Sequence, residues 1–165
     1  YVLAMSDVDH FKKFNDTHGH DVGDQVLRLV ASKLSKITNG GGRAYRYGGE
    51  EFAIVFAGKT LEECMPHLEV IRETIASYQI HLRNQDNRPN DDLQGRQRRA
   101  GSQASTVSVT VSIGVAERLP EHRNPEEVLK SADQALYAAK GAGRNCVISH
   151  LQTSKRGAVR MAAAG

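Results

Sequence analysis

Arg46-Tyr47-Gly48-Gly49-Glu50-Glu51-Phe52 is the stretch on which the fold turns. Its two glycines permit a tight chain reversal, because glycine adopts positive φ without steric penalty. Two carboxylates follow at once and sit at the tip. The run Phe52-Ala53-Ile54-Val55-Phe56 leaves the tip as a strand, apolar on both alternating faces as a central, doubly covered strand is. Arg43 to Tyr47 supplies the incoming strand, so the stretch reads as a β-hairpin. Adjacent acids at such a tip repel each other, which makes a cation their natural partner. The plainer alternative is a solvated turn that is merely acidic.

Upstream of the hairpin, Tyr1 to Ser6 is a short apolar strand ending in Asp7-Val8-Asp9. Carboxylates at i and i+2 on a strand share a face, a common setting for a divalent cation, although loop acids capping the next element would look the same. Because the chain starts inside this strand, it is expected to be a fragment of a longer protein. One or two helical turns follow, anchored by Phe11 and Phe14. His18 and His20 flank Gly19 and read as loop residues that make hydrogen bonds rather than as metal ligands. Asp21 or Gly23 then opens an amphipathic helix with Val26, Val30, Leu34 and Ile37 in its stripe, widened by Leu27 and Ala31. Asn39-Gly40-Gly41-Gly42 ends it.

Downstream, Thr60-Leu61-Glu62-Glu63 matches a capping box at the start of a second long helix. Its stripe is Leu61, Met65, Leu68, Ile71, Ile75 and Tyr78, with Pro66 near its first turns as a possible kink. Gln79 to Ser105 is polar and reads as an insertion or long hairpin loop. Thr106 to Ala116 alternates as one strand, with Val107, Val109, Val111, Ile113 and Val115 on one face and Thr110, Ser112 and Gly114 on the other. Asn124-Pro125-Glu126-Glu127 carries an N-cap, a proline at the first helical position and first-turn acids. Val128, Leu129, Ala132, Ala135, Leu136 and Ala139 form the buried stripe of that helix, which stops at Lys140-Gly141. Arg144 to Ile148 is a final strand, and a small basic tail from His150 is expected to be disordered. The order is strand, helix, helix, strand, strand, helix, strand, helix, strand. The expected fold class is α/β, an α+β sandwich with a mixed five-stranded sheet.

Composition narrows the function classes. At 165 residues one domain with a real core is expected. No stretch approaches the roughly 18 apolar residues of a membrane span, and the first residues do not resemble a signal peptide. The two cysteines, Cys64 and Cys146, suit a reducing cytosol and read as core thiols, so the domain is expected in the cytoplasm without membrane contact of its own, whatever anchors its parent. The net charge of +3 is concentrated in two places: Arg83, Arg88, Arg96, Arg98 and Arg99 in the polar linker, and Lys155, Arg156 and Arg160 in the tail. No aromatic residues interleave with these arginines, so no nucleic-acid partner is expected.

The motifs together resemble the GGDEF domain of diguanylate cyclases, here with Gly-Gly-Glu-Glu-Phe. Asp7-Val8-Asp9-His10-Phe11-Lys12, Asn15-Asp16, Gly19-His20-Asp21-Val22-Gly23-Asp24 and the hairpin stretch carry the likeness. Ser112-Ile113-Gly114-Val115, Ala132-Asp133-Gln134-Ala135-Leu136-Tyr137, Ala139-Lys140 and Gly143-Arg144-Asn145 extend it, so that it runs from about Val2 to Ile148. The resemblance implies a mostly antiparallel, palm-like sheet flanked by helices. Residues 1–149 would be the catalytic domain, with 79–105 inserted, and 150–165 the tail. It implies that two GTP molecules are condensed into cyclic di-GMP with release of two pyrophosphates. Asp7, Glu50 and the Val8 carbonyl would ligate Mg²⁺ or Mn²⁺, and Glu51 would be the acid or base near the attacking 3′-hydroxyl, with Glu50 sharing the catalytic assignment. Asn15 and Asp24 would hold the guanine edge, with His20 nearby. Lys12, Lys140, Arg144, the backbone at Phe11 and the hairpin glycines Gly48 and Gly49 would hold phosphates. Asp9 matches the pattern without a clear role. Two domains would meet transiently with C₂ symmetry, since one pocket holds one nucleotide.

Three departures stand out. The chain begins after the stretch that usually precedes the first strand, and an upstream sensor or receiver domain is expected outside this fragment. The 79–105 segment is longer than usual. An Arg-x-x-Asp motif that binds product in many relatives is replaced by Asn39-Gly40-Gly41-Gly42, and three glycines predict a loose loop. The alternative function is a regulatory module that binds GTP or cyclic di-GMP without turnover. Intact Asp7, Glu50, Glu51, Lys140 and Arg144 favour the enzyme.

Overall fold

A computed structural model describes residues 1–82 and 105–151 of the chain. Most of the expected insertion, and the basic tail from residue 152 onwards, lie outside the described residues. A five-stranded sheet is built from β1 (Val2–Val8), β2 (Gly42–Gly48), β3 (Glu51–Phe56), β6 (Val111–Glu117) and β7 (Val147–Ser149), in the order β2-β3-β1-β6-β7. Only the β6–β7 pair is parallel, so the sheet is mixed and mostly antiparallel. β4 (Ile80–Leu82) and β5 (Ser105–Val107) pair antiparallel as a separate small sheet, and their pairing joins the two flanks of the polar insertion.

Each face of the main sheet has its own helices, and strand alternation assigns the residues to them. Val2, Ala4 and Val8 of β1 join Phe52, Ile54, Phe56, Val111, Ile113 and Val115 in one core, covered by α1 (Phe11–His18), α2 (His20–Leu34) and α3 (Leu61–Ala76). Met5 and Ala116 face the other way, against Val128, Ala132 and Leu136 of α4 (Pro125–Gly141). β6 is buried on both faces as far as Ala116, and α4 lies directly on its backbone at Gly114. A Cβ at Gly114 would stand 2.0 Å from Leu136 N and 2.3 Å from the Ala132 carbonyl oxygen.

The two capped helix starts, at Thr60 and Asn124, are present as read. Thr60 accepts from Glu63 N–H while Glu63 reaches back to Thr60 N–H, closing the capping box at the head of α3. The Thr60 N–H, with help from the Lys59 ammonium, holds the Glu63 carboxyl below its ordinary range. Asn124 accepts from Glu127 N–H, and Pro125 occupies the first turn of α4. Cys64 is buried in α3, and burial raises its thiol to about 11.

Several boundaries differ from expectation. α2 begins at His20 and ends at Leu34, and Ser35–Gly40 continues as a 3₁₀ helix rather than as α-helix through Ile37. The Asn-Gly-Gly-Gly loop is packed at Gly40, where a Cβ would meet the His67 ring at 2.6 Å. Thr106 to Ala116 is not one strand: the chain leaves regular structure after Val107 and resumes pairing at Val111. β3 is not covered equally on both faces; Phe52, Ile54 and Phe56 are buried while Glu51, Ala53 and Val55 are half-buried, because α4 spans β1 and β6 rather than β3. Tyr78 lies beyond the end of α3, and the Lys33 ammonium sits 4.3 Å above its ring. The last strand starts at Val147, and Arg144 and Asn145 occupy a left-handed turn instead.

Candidate active site

The strand register brings the acids together. Asp7 pairs directly with Glu51 across β1 and β3, and opposed residues of an antiparallel pair project to the same side. The Val8 N–H donates to the Glu50 carbonyl at 3.3 Å, so Glu50 lies across from the end of β1. Asp7, Val8, Glu50 and Glu51 therefore form one cluster at one end of the sheet. Gly49 has φ +44, which makes the reversal there, whereas Gly48 is the last residue of β2. Arg46, whose role the sequence did not disclose, donates from Nε and Nη2 to the Gly49 carbonyl at 3.1 and 2.7 Å. A register shift between Arg46 and Gly48 bulges Tyr47 outward.

Asp7 is only 7% exposed. Its partner is Lys140, whose Nζ lies 2.8 Å from Oδ2. Lys140 reaches it because both belong to the face covered by α4. The donor set fits a small, hard cation, which takes one or two carboxylates and completes its shell with phosphate oxygens or water. Among the described residues, no group of three or more His, Cys, Asp or Glu side chains is arranged as a cage, and His18 and His20 are not brought into one. His18 instead packs its ring against Phe14 at 4.6 Å.

The helix α1 starts directly after β1. His10 occupies its N-cap position in the left-handed region (φ 57) and makes no side-chain cap, so the first N–H groups, at Phe11 and Lys12, have no side-chain acceptor there. Such an end attracts anions through its free donors and dipole. Phe11 is buried beneath it and Lys12 is exposed beside it. Arg144, also exposed, lies in the turn after α4, where Gly143, Arg144 and Asn145 all have positive φ (109, 66 and 46).

Asn15 and Asp24 sit on α1 and α2. The Asn15 Oδ1 is buried without a hydrogen-bond partner, a costly state for an amide oxygen unless something else fills it. The side chain packs over Gly23, where a Cβ would stand 1.8 Å from Oδ1. Asp24 follows and helps to line a cavity of about 240 Å³ between α2 and the hairpin, together with Leu27, Arg28, Tyr45, Arg46 and Phe52. Asn15 is not one of its walls. His20, the first residue of α2, is exposed.

Residues 1–94 and 90–146 match the family model described as diguanylate cyclase, GGDEF domain. The chain is 38% identical over 146 residues to the diguanylate cyclase VdcA of Vibrio cholerae, covering 88% of this chain and 38% of that protein. It is 37% identical over 144 residues to the response regulator PleD of Caulobacter vibrioides, covering 87% of this chain and 28% of that one. The chain thus spans well under half of either relative. Among solved structures, the GGDEF domain of DgcB from Caulobacter crescentus in complex with c-di-GMP superposes with a TM-score of 0.73 at 40% identity, covering 90% of this chain and 77% of that one. The active GGEEF domain of a Vibrio cholerae diguanylate cyclase gives 0.70 at 27% identity, covering 90% and 81%.

Proposed function

This chain belongs to the diguanylate cyclase GGDEF family, and on that premise we propose that residues 1–149 form a catalytic domain that condenses two GTP molecules into cyclic di-GMP. The observation that carries the reading is the register pairing of buried Asp7 with Glu51, beside Glu50, with Lys140 on the same face. Each half-reaction joins a 3′-oxygen to an α-phosphorus, breaks the bond to the bridging oxygen of pyrophosphate and releases one proton. Two such steps close the ring and release two pyrophosphates.

Asp7 and Glu50, with the Val8 carbonyl, would hold Mg²⁺ or Mn²⁺. The bound cation would neutralise charge on the triphosphate and polarise the phosphorus under attack. Glu51 projects to the same side as Asp7 and is the base for the 3′-hydroxyl proton. Lys12, Lys140 and Arg144 would supply cations for the phosphates, and the uncapped start of α1 would add backbone donors. Gly48 and Gly49 leave the hairpin tip without side chains, so a phosphate can approach its backbone. The orphaned Asn15 oxygen and the Asp24 carboxylate are suited to the guanine N1–H and 2-amino group, a donor pair that adenine lacks. His20, exposed at the start of α2, would lie near the base. One guanine site per domain means that two domains face each other during turnover, in a transient C₂ pair.

The test is incubation of the purified chain with Mg²⁺ and GTP, with analysis for cyclic di-GMP and pyrophosphate. Cyclic di-GMP with two pyrophosphates per product, at a rate per domain that rises with protein concentration, supports the reading. GTP bound and recovered unchanged would instead mark a binding module.

A further inference from the structure

Asp9 is two residues beyond Asp7, in the turn just past the end of β1, and is as buried as Asp7, at 6% exposure. Its oxygens are already taken. Oδ1 accepts from Ser112 Oγ at 2.6 Å, and Oδ2 accepts from Thr110 Oγ1 at 2.6 Å and from the Asn145 N–H at 3.1 Å. The Asp9 N–H in turn donates to the Thr110 carbonyl at 2.9 Å.

The third donor is the informative one. Asn145 closes the left-handed turn Gly143-Arg144-Asn145, a conformation that side-chain-bearing residues adopt only when their surroundings impose it. Its start is tied to α4 by the Arg144 N–H, which donates to the Ala139 carbonyl at 3.1 Å. Its far end is held on one side by Asp9 and on the other by Arg72, whose Nη1 donates to Asn145 Oδ1 at 2.9 Å while Nε and Nη2 pair with Glu69 and Glu73. Arg144 stands in the middle of this clamp. Asp9 therefore joins three pieces of the phosphate site: Asp7 just before it, the start of α1 just after it, and the turn bearing Arg144 from across the sheet.

We propose that Asp9 is a positioning residue and not a metal ligand: it fixes the Arg144 turn against the end of β1, so that Arg144 is held ready for the substrate phosphates. This rests on the cyclase reading of the site. Asparagine can nearly replace it. Its oxygen can serve Thr110 and Asn145 while its amino group donates to Ser112, whose hydroxyl can rotate to accept. Alanine offers nothing to the Asn145 N–H.

The probe is α,β-methylene GTP, which cannot lose pyrophosphate, titrated calorimetrically with Mg²⁺ into the whole chain. Asp9→Ala is expected to weaken binding about tenfold, as Arg144→Ala does, and the double variant to bind no more weakly than Arg144→Ala alone. Asp9→Asn is expected to stay within about threefold of the unaltered chain. The Asn145 amide should exchange slowly in the unaltered chain and in Asp9→Asn, a readout that needs no nucleotide. Equal damage from Asn and Ala with loss of the Mg²⁺-induced thermal shift would make Asp9 a ligand and overturn the proposal. Additive effects in the double variant, or a rapidly exchanging Asn145 amide in the unaltered chain, would overturn it too. If Asp9→Ala does not fold, the Asp9→Asn and amide arms still decide. An unaltered chain that binds no analogue contradicts the cyclase reading itself, whereas normal binding by Asp9→Ala contradicts only the role given to Asp9.

Discussion

Lys140 and Asp7 form an ion pair, Nζ to Oδ2 at 2.8 Å, between α4 and the end of β1. A divalent cation at Asp7 is expected to compete with this ammonium for the carboxylate. The Asp7 side chain is 10% exposed and that of Lys140 34%, so the pair is screened on one side only. Removing the lysine leaves a nearly buried carboxylate without its partner. Lys140→Met is therefore expected to cost about 1–2 kcal/mol of stability without metal, discounted for the exposure of the lysine. Mg²⁺ without nucleotide should then raise the melting temperature more in the variant than in the unaltered chain. Thermal melts with and without Mg²⁺ check this; an equal or smaller Mg²⁺ shift in Lys140→Met would show that the two do not compete.

Gly23 offers a separate handle on guanine recognition. An alanine methyl there falls on the Asn15 amide, the end of a flexible side chain, and not on backbone. Gly23→Ala is expected to push Asn15 aside and weaken GTP binding about tenfold. The melting temperature should change little, since alanine is a better helix former than glycine. GTP titration beside a thermal melt reads both; unchanged affinity would remove Asn15 from the guanine site.

Local patterns made most of this architecture legible. The hairpin, the two helix caps and the apolar stripe of α4 are written in neighbouring residues. The acids of the site were legible because their motifs are adjacent to strand ends, and the register then set Asp7 opposite Glu51. What could not be read was long-range. Arg144 and Asn145 looked like the start of a strand, but Asp9, 136 positions away, and Arg72, 73 positions away, hold Asn145 in a left-handed turn. The break at 108–110 was hidden because Val109 and Thr110 suit a strand as well as they suit the bend where Thr110 turns to Asp9. Gly114 was visible as part of a motif, yet only the fold shows that α4 rests on its backbone.

Gly114→Ala tests that contact. Its methyl would collide with backbone atoms of α4, which cannot rotate away as a side chain can. The expected loss is about 3 kcal/mol, the upper range for overpacking. Denaturant unfolding measures it, and a loss below about 1 kcal/mol would mean that α4 shifts freely over β6.

Product feedback is expected to be missing at the loop where the family resemblance would place an Arg-x-x-Asp motif. Asn39-Gly40-Gly41-Gly42 offers neither a cation nor a carboxylate, and Gly40 is filled by the His67 ring. Of the two nearby cations, Arg43 and Arg46, neither has an aspartate three residues on, and Arg46 is engaged by the Gly49 carbonyl. Added cyclic di-GMP is expected to leave the initial rate unchanged through this site. Calorimetry with the unaltered chain and Asn39→Ala locates any binding; tight binding that disappears in Asn39→Ala would show that the site exists after all.

On the proposed function, the acids at the hairpin tip and the strand end carry out nucleotide condensation. The most direct measurement is cyclic di-GMP formed from GTP and Mg²⁺ by the unaltered chain and by Glu50→Gln, side by side, with melting curves for both. Glu50 lies in a half-exposed turn outside the core, so the variant should fold as well as the unaltered chain. The expected result is product from the unaltered chain and a loss of at least about a hundredfold in Glu50→Gln. Undiminished product from Glu50→Gln would contradict the assignment of the site.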